Sequence, residues 1–379
     1  MIHLDHLAST PVHPEVVDAM RPWLEGGRHG NPSHHHQTGL GAAEALEQAR
    51  IEAAALIGSE PDEIVFTSGG TESANTALCG WAWRHPGGML IVSCAEHPAI
   101  LHTVDFLERQ GHPVLRLPVD ARGRIDPDTV QSIASSGEVL FAFHLSNHDS
   151  GAVQDVAALT AAAREKGWAT FCDASTGGGW VPVQVNPQEI DFLSLAPRQF
   201  FGPQGVGVLF IRRGQALEPL MHGGRQEGGR RAGTENVAGI AGAGAACRLI
   251  RNEGPGWVGE VTSLRDRLWS GLRGKVPDIQ LHGPAPGPER DPRHLAVGIA
   301  GVEGEALMLL LDLRGVTVTA GSGCLSGGEK YSHVLRAMGV EDVWVRGTLR
   351  LSPGPGQTVG QMDEAVEAIA RAVAKLRAM

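Results

Sequence analysis

The chain has 379 residues, 42% of them hydrophobic, which is enough to bury a large core and to divide into a major and a minor domain. Its 32 Lys and Arg against 42 Asp and Glu leave a formal net charge of −10, with no block of like charge, which argues against nucleic acid or an anionic membrane as the main partner. The first residues, MIHLDHLASTP, lack the basic start and apolar stretch of a signal peptide, and no apolar run approaches the ~20 residues that span a bilayer, so a cytoplasmic protein is expected.

In chain order, a helical pattern (GAAEALEQARIEAAALIG) is followed by the β-rich runs DEIVFT, GMLIVS and VLFAFHL, a second helix (DVAALTAAAREKG), and the runs WATFCD, IDFLSL and GVGVLFIRR. This βαβα rhythm predicts a mostly parallel sheet covered by helices on both faces, with ligands beyond the carboxyl ends of the strands. After about residue 256 come a helix (VGEVTSLRDRLWSGLRGK), a Pro/Gly-rich segment (HGPAPGPERDPRH), mixed elements and a long helix near the C-terminus. The division expected is a large α/β domain over residues 13–255 and a smaller α+β domain made of 1–12 and 256–379.

Three strand ends carry polar groups suited to a ligand. In FTSGGTESANTAL, Gly69-Gly70-Thr71 joins a strand to a helix, and free N–H groups at a helix start beside a hydroxyl favour an anion such as phosphate. CAEHPAI places His97 at the same rim, and FCDAS closes a strand with Asp173, a carboxylate able to pair with a cationic ring nitrogen or to cap a turn. The histidines of HHHQ, residues 34–37, lack spaced acidic or thiol partners and read as a plain loop. Of five cysteines, Cys79, Cys94, Cys172 and Cys247 sit in apolar stretches, whereas Cys324 lies in the Gly/Ser segment AGSGCLSGGEK, where a thiol is able to react.

Taken together, LDHLASTPVHPEV, GNPSHHHQTG, EIVFTSGGTES, AEHPAI, GAVQDV, FGPQGVGVLFIRR, HGGRQE, RRAGTENVAGI, GSGCLSG, SHVLRAMG and LRLS resemble the cysteine desulfurases of the class V aminotransferase group over nearly the whole chain. The resemblance implies a fold-type I pyridoxal-phosphate (PLP) transferase and a homodimer. It implies that Gly70 and Thr71 hold the cofactor phosphate, His97 stacks on the ring, Asp173 pairs with the ring nitrogen, and Thr234 reaches the phosphate of the partner subunit. It also implies that Cys324 is the nucleophile that takes sulfur as a persulfide, and that Arg350, with Asn31, holds the substrate.

The sequence departs from that pattern where it bears most on chemistry. The family's Ser-Gly-His-Lys reads here Ala196-Pro197-Arg198-Gln199, so the lysine that would condense with the cofactor aldehyde is a glutamine. An amide has neither a lone pair for attack nor a useful pKa. The remaining cofactor neighbours change too, His148 standing for an Asn and Thr176 for a Gln. Of the four lysines, Lys166, Lys275, Lys330 and Lys375, none follows a strand of the large domain. The expectation is a desulfurase-like protein of sulfur transfer or iron–sulfur assembly, working with a sulfur-acceptor or scaffold protein. Cys324 would be its acceptor thiol or an iron–sulfur cluster ligand, with PLP noncovalent or absent. Slow desulfuration with noncovalent PLP, and a non-catalytic scaffold with a repurposed anion pocket, are the alternatives.

Overall fold

A computed structural model describes residues 1–321 and 331–378; Cys324 and Lys330 lie outside the described residues. Seven strands form the main sheet, in the spatial order 64–67, 207–211, 192–195, 169–173, 139–144, 89–93 and 114–117. All neighbours pair in parallel except Gly207–Ile211, which runs antiparallel to both strands beside it. Six of these strands were legible as apolar runs. The seventh, Val114–Leu117, is a half-exposed edge strand bounded by prolines, and its four residues give too short a signal to read.

Successive side chains of a strand point to opposite faces, and here each face meets its own core. Phe141, Phe143, Cys172 and Leu193 join one cluster with Ala53 and Ile57 of the helix Gln37–Ile57 and with Ile240 and Ile250. Leu140, Ala142, Phe171 and Phe192 join another with Leu78 and Trp81 of the helix Gly70–Arg84 and with Val104 of Pro98–Arg109. Burial on both faces is why these strands are continuously apolar instead of alternating.

A second sheet of four strands, in the order 319–320, 348–351, 295–299 and 279–281, is antiparallel and packs on the C-terminal helix Val359–Arg377. The N-terminal strand Ile2–His3 pairs in parallel with Val316–Thr317. The helix read from about residue 258 is the second half of a 39-residue helix, Val237–Lys275, which continues through Pro255. Its first half packs on the large sheet through Ile240 and Ile250, and its second half on the small sheet through Leu264, Leu268 and Leu272. Among the described residues no helix is long and apolar enough to cross a membrane.

Candidate active site

The strands ending at Thr67, Ser93, His144, Asp173 and Leu195 finish at one edge of the main sheet, where the connecting segments enclose a cleft of about 270 Å³. It is lined by Gly70, Thr71, His97, Asp173, Arg198 and Gln199, together with Thr176, so seven residues singled out in the sequence meet in one place. At one wall, the helix Gly70–Arg84 begins with Gly69 as its N-cap and no side-chain cap, which leaves its leading N–H groups and partial positive charge to whatever fills the cleft. Gly70 is required by close approach: a Cβ there would sit 2.4 Å from Ser175 Oγ.

Asp173, 8% exposed, is fixed from one side. Ser194 Oγ donates to its Oδ1 at 2.6 Å and the Ser175 N–H to the same atom at 2.9 Å, leaving Oδ2 without a donor among the described residues. His97 is the N-cap of Pro98–Arg109, its Nδ1 accepting the Ala99 N–H at 3.1 Å, and this pins the ring beside the cleft. Burial pushes the His97 imidazole below its ordinary pKa, against the pull of Asp173 and Asp149. The His97 ring is met edge-on by His148, with centroids 5.1 Å apart, and His333 lies 6.1 Å beyond His148. Burial holds His148 well below its ordinary pKa, so this pair is neutral at pH 7.

Gln199 belongs to a turn, Pro197–Gln199, that clasps the N-terminal segment. Its Nε2 donates to the Leu7 carbonyl at 2.7 Å, Thr10 Oγ1 donates to the Arg198 carbonyl at 2.8 Å, and an Arg198 guanidinium N–H donates to the Ala8 carbonyl. Trp180 Nε1, at 2.9 Å, and Arg293 Nη1, at 3.2 Å, both donate to the backbone carbonyl of Gln199. Phe201 just beyond has φ 66, a left-handed backbone that costs a side-chain-bearing residue roughly 1–2 kcal/mol. It is held there by Thr10 Oγ1, which accepts the Phe201 N–H at 2.7 Å. Among the described residues no lysine lines the cleft: Lys166 donates to the Ile133 carbonyl and Lys275 pairs with Glu367.

Arg350 stands behind His148. Its Nη1 donates to the His148 carbonyl at 3.0 Å and to Asp149 Oδ1 at 2.8 Å, while Ser332 Oγ donates to Asp149 Oδ2 at 2.6 Å. Asp149, Ser175 and Ser194 are residues that sequence reading passed over, although Asp149 sits in the SNHDSG stretch that drew attention to His148. His148, Arg350 and Asn31, expected at the site, are not in the cleft lining, nor is Thr234, expected at the partner subunit's phosphate. Thr234 is exposed in the segment before Val237–Lys275, and Asn31 caps its own turn, accepting the Ser33 N–H at 2.9 Å. Among the described residues no group of three His, Cys, Asp or Glu could hold a metal ion.

A family model described as aminotransferase class-V matches residues 2–364. The chain is 38% identical over 378 residues to the cysteine desulfurase IscS of Dictyoglomus turgidum, covering 99% of this chain and 95% of that protein. It is 40% identical over 380 residues to the cysteine desulfurase IscS of Methanosarcina thermophila, covering 100% and 93%. A solved structure named NifS-like protein superposes with a TM-score of 0.92 at 30% identity, with 99% of each chain covered. A sheet with its polar groups gathered at one edge, and relatives that match from end to end, have one explanation: the chain belongs to the class-V aminotransferase family and, within it, to the group of the cysteine desulfurases.

Proposed function

We propose that this protein works in sulfur transfer on a cysteine desulfurase scaffold, holding PLP or a related compound without a covalent bond, with Cys324 as its sulfur-carrying thiol. The observation that carries this reading is position 199, where a buried amide tied to the Leu7 carbonyl lines the cleft and no lysine among the described residues does. The remainder of the cleft suits the cofactor. Gly70 and Thr71 at the helix start would hold its phosphate, the open Oδ2 of Asp173 its ring nitrogen, and His97 its ring face. When bound, PLP supplies an electron sink for bonds at the α-carbon of an amino acid.

The chain's own residues do the rest. Neutral His97 offers a flat ring without competing charge, Asp149 holds the Arg350 guanidinium in place for a carboxylate, and Arg198 adds positive charge beside the phosphate end. With no amine at residue 199 to take and return a proton, sulfur reaches Cys324 from a donor persulfide. The Cys324 thiolate attacks the outer sulfur, the donor S–S bond breaks, the donor leaves as its thiolate, and Cys324 becomes the persulfide with no net oxidation. A homodimer and an acceptor or iron–sulfur scaffold protein complete this reading. Sulfur carriage is tested by incubating the protein with a persulfidated donor protein and mapping persulfide by mass spectrometry: sulfur is expected on Cys324 and on no other cysteine of Cys324→Ser. Undiminished transfer by Cys324→Ser would defeat it.

A further inference from the structure

Gln199 is 4% exposed, and while its Nε2 is committed to the Leu7 carbonyl, its Oε1 has no hydrogen-bond donor among the described residues. A buried acceptor with no donor is a bond waiting for a partner, and native structures leave few of them without a reason. The residue lines the same cleft as Asp173, whose Oδ2 also lacks a donor, and as the uncapped start of the helix Gly70–Arg84, beside which Arg198 stands. The cleft therefore presents attraction for an anion at the helix start and two hydrogen-bond acceptors, Asp173 Oδ2 and Gln199 Oε1. A lysine at 199 would repel a ligand ammonium by like charge, whereas a carboxamide oxygen accepts from it.

We propose that the cleft selects the amine form of the phosphorylated B6 compounds, pyridoxamine 5′-phosphate, over forms without a donor at the same carbon, with Gln199 Oε1 accepting from the ligand amine. This rests on the reading that the cofactor is held without a covalent bond, and it names the form that is held. The phosphate takes the helix start and Arg198, the ring N–H takes Asp173, and the amine takes Gln199.

Titration calorimetry with three ligands tests it: pyridoxamine 5′-phosphate, PLP, and 4-deoxypyridoxine 5′-phosphate, which carries a methyl group in place of the aminomethyl group. The amine form is expected to bind about tenfold tighter than the deoxy form, the ratio that one recovered hydrogen bond of about 1.4 kcal/mol gives. Gln199→Met, similar in length but without the acceptor, is expected to bring the ratio of the two affinities to within about twofold. Equal binding of the two by the wild type, which needs no variant, would overturn the proposal, as would a preference that survives in Gln199→Met. If PLP instead becomes fixed to the protein by borohydride, the noncovalent reading itself falls; if PLP dialyses away and the amine form shows no advantage, only the selectivity falls.

Discussion

Replacing Gln199 by lysine introduces the amine that the proposed reading finds missing, and the structure says what else it does. The change removes the carboxamide that donates to Leu7 at 2.7 Å, a buried bond whose loss costs about 1–3 kcal/mol where the carbonyl is left without a partner. It also places an amine at a site 4% exposed, with the Arg198 side chain lining the same cleft, and both burial and that like charge drive the amine to its neutral form. Gln199→Lys is therefore expected to denature at lower urea concentration, by roughly 1–3 kcal/mol, and to gain a borohydride-fixable PLP chromophore. Sulfide release from cysteine is expected to stay well below that of an IscS relative assayed alongside, because Ala196, Arg198, His148 and Thr176 still line or flank the site in altered form. Unchanged stability together with full sulfide release from the single substitution would refute the reasoning.

Other expectations follow from the buried charges. Although burial pushes it upward, His148 where its ring is protonated, Arg350 and Ser332 hold the Asp149 carboxyl at about 2. The stabilisation is complete above about pH 4, the value of the unfolded carboxyl, and is lost as pH falls through about 2. Asp149→Asn should cost roughly 3–5 kcal/mol at pH 7, with the gap from wild type closing at the acid end of a denaturation series. Burial holds His6 and His282 near 4 and His294 near 3, so the folded protein keeps them neutral while the unfolded chain takes up protons below about 6.5. Stability is thus full above pH 6.5 and should fall by about 1.4 kcal/mol per pH unit for each histidine as pH drops towards those values. A flat urea midpoint between pH 6.5 and 4.5 would contradict this.

Most of the sheet was legible because strands buried on both faces leave long apolar runs, and these cleft residues were legible because each follows or closes such a run: Thr71 after IVFT, His97 after LIVS, Asp173 at the end of ATFCD. The edge strand Val114–Leu117 and the continuation of Val237–Lys275 through Pro255 were not, since a half-exposed four-residue strand and a proline within a helix both weaken the local signal that tertiary packing overrides. Gln199 drew attention through its neighbours in the motif, but its grip on Leu7 was not legible. The two residues are separated by 192 positions, and nothing in either segment signals the pairing. Asp149 was invisible for a similar reason, as its partners Ser332 and Arg350 come from distant parts of the chain.

The measurement that bears most directly on noncovalent cofactor binding is peptide mapping after the wild-type protein, saturated with PLP, is reduced with borohydride. No stoichiometric pyridoxyl adduct on any side chain is the predicted result, with the unmodified mass recovered after dialysis before reduction. A single adduct at full occupancy, on any of the four lysines, would contradict it.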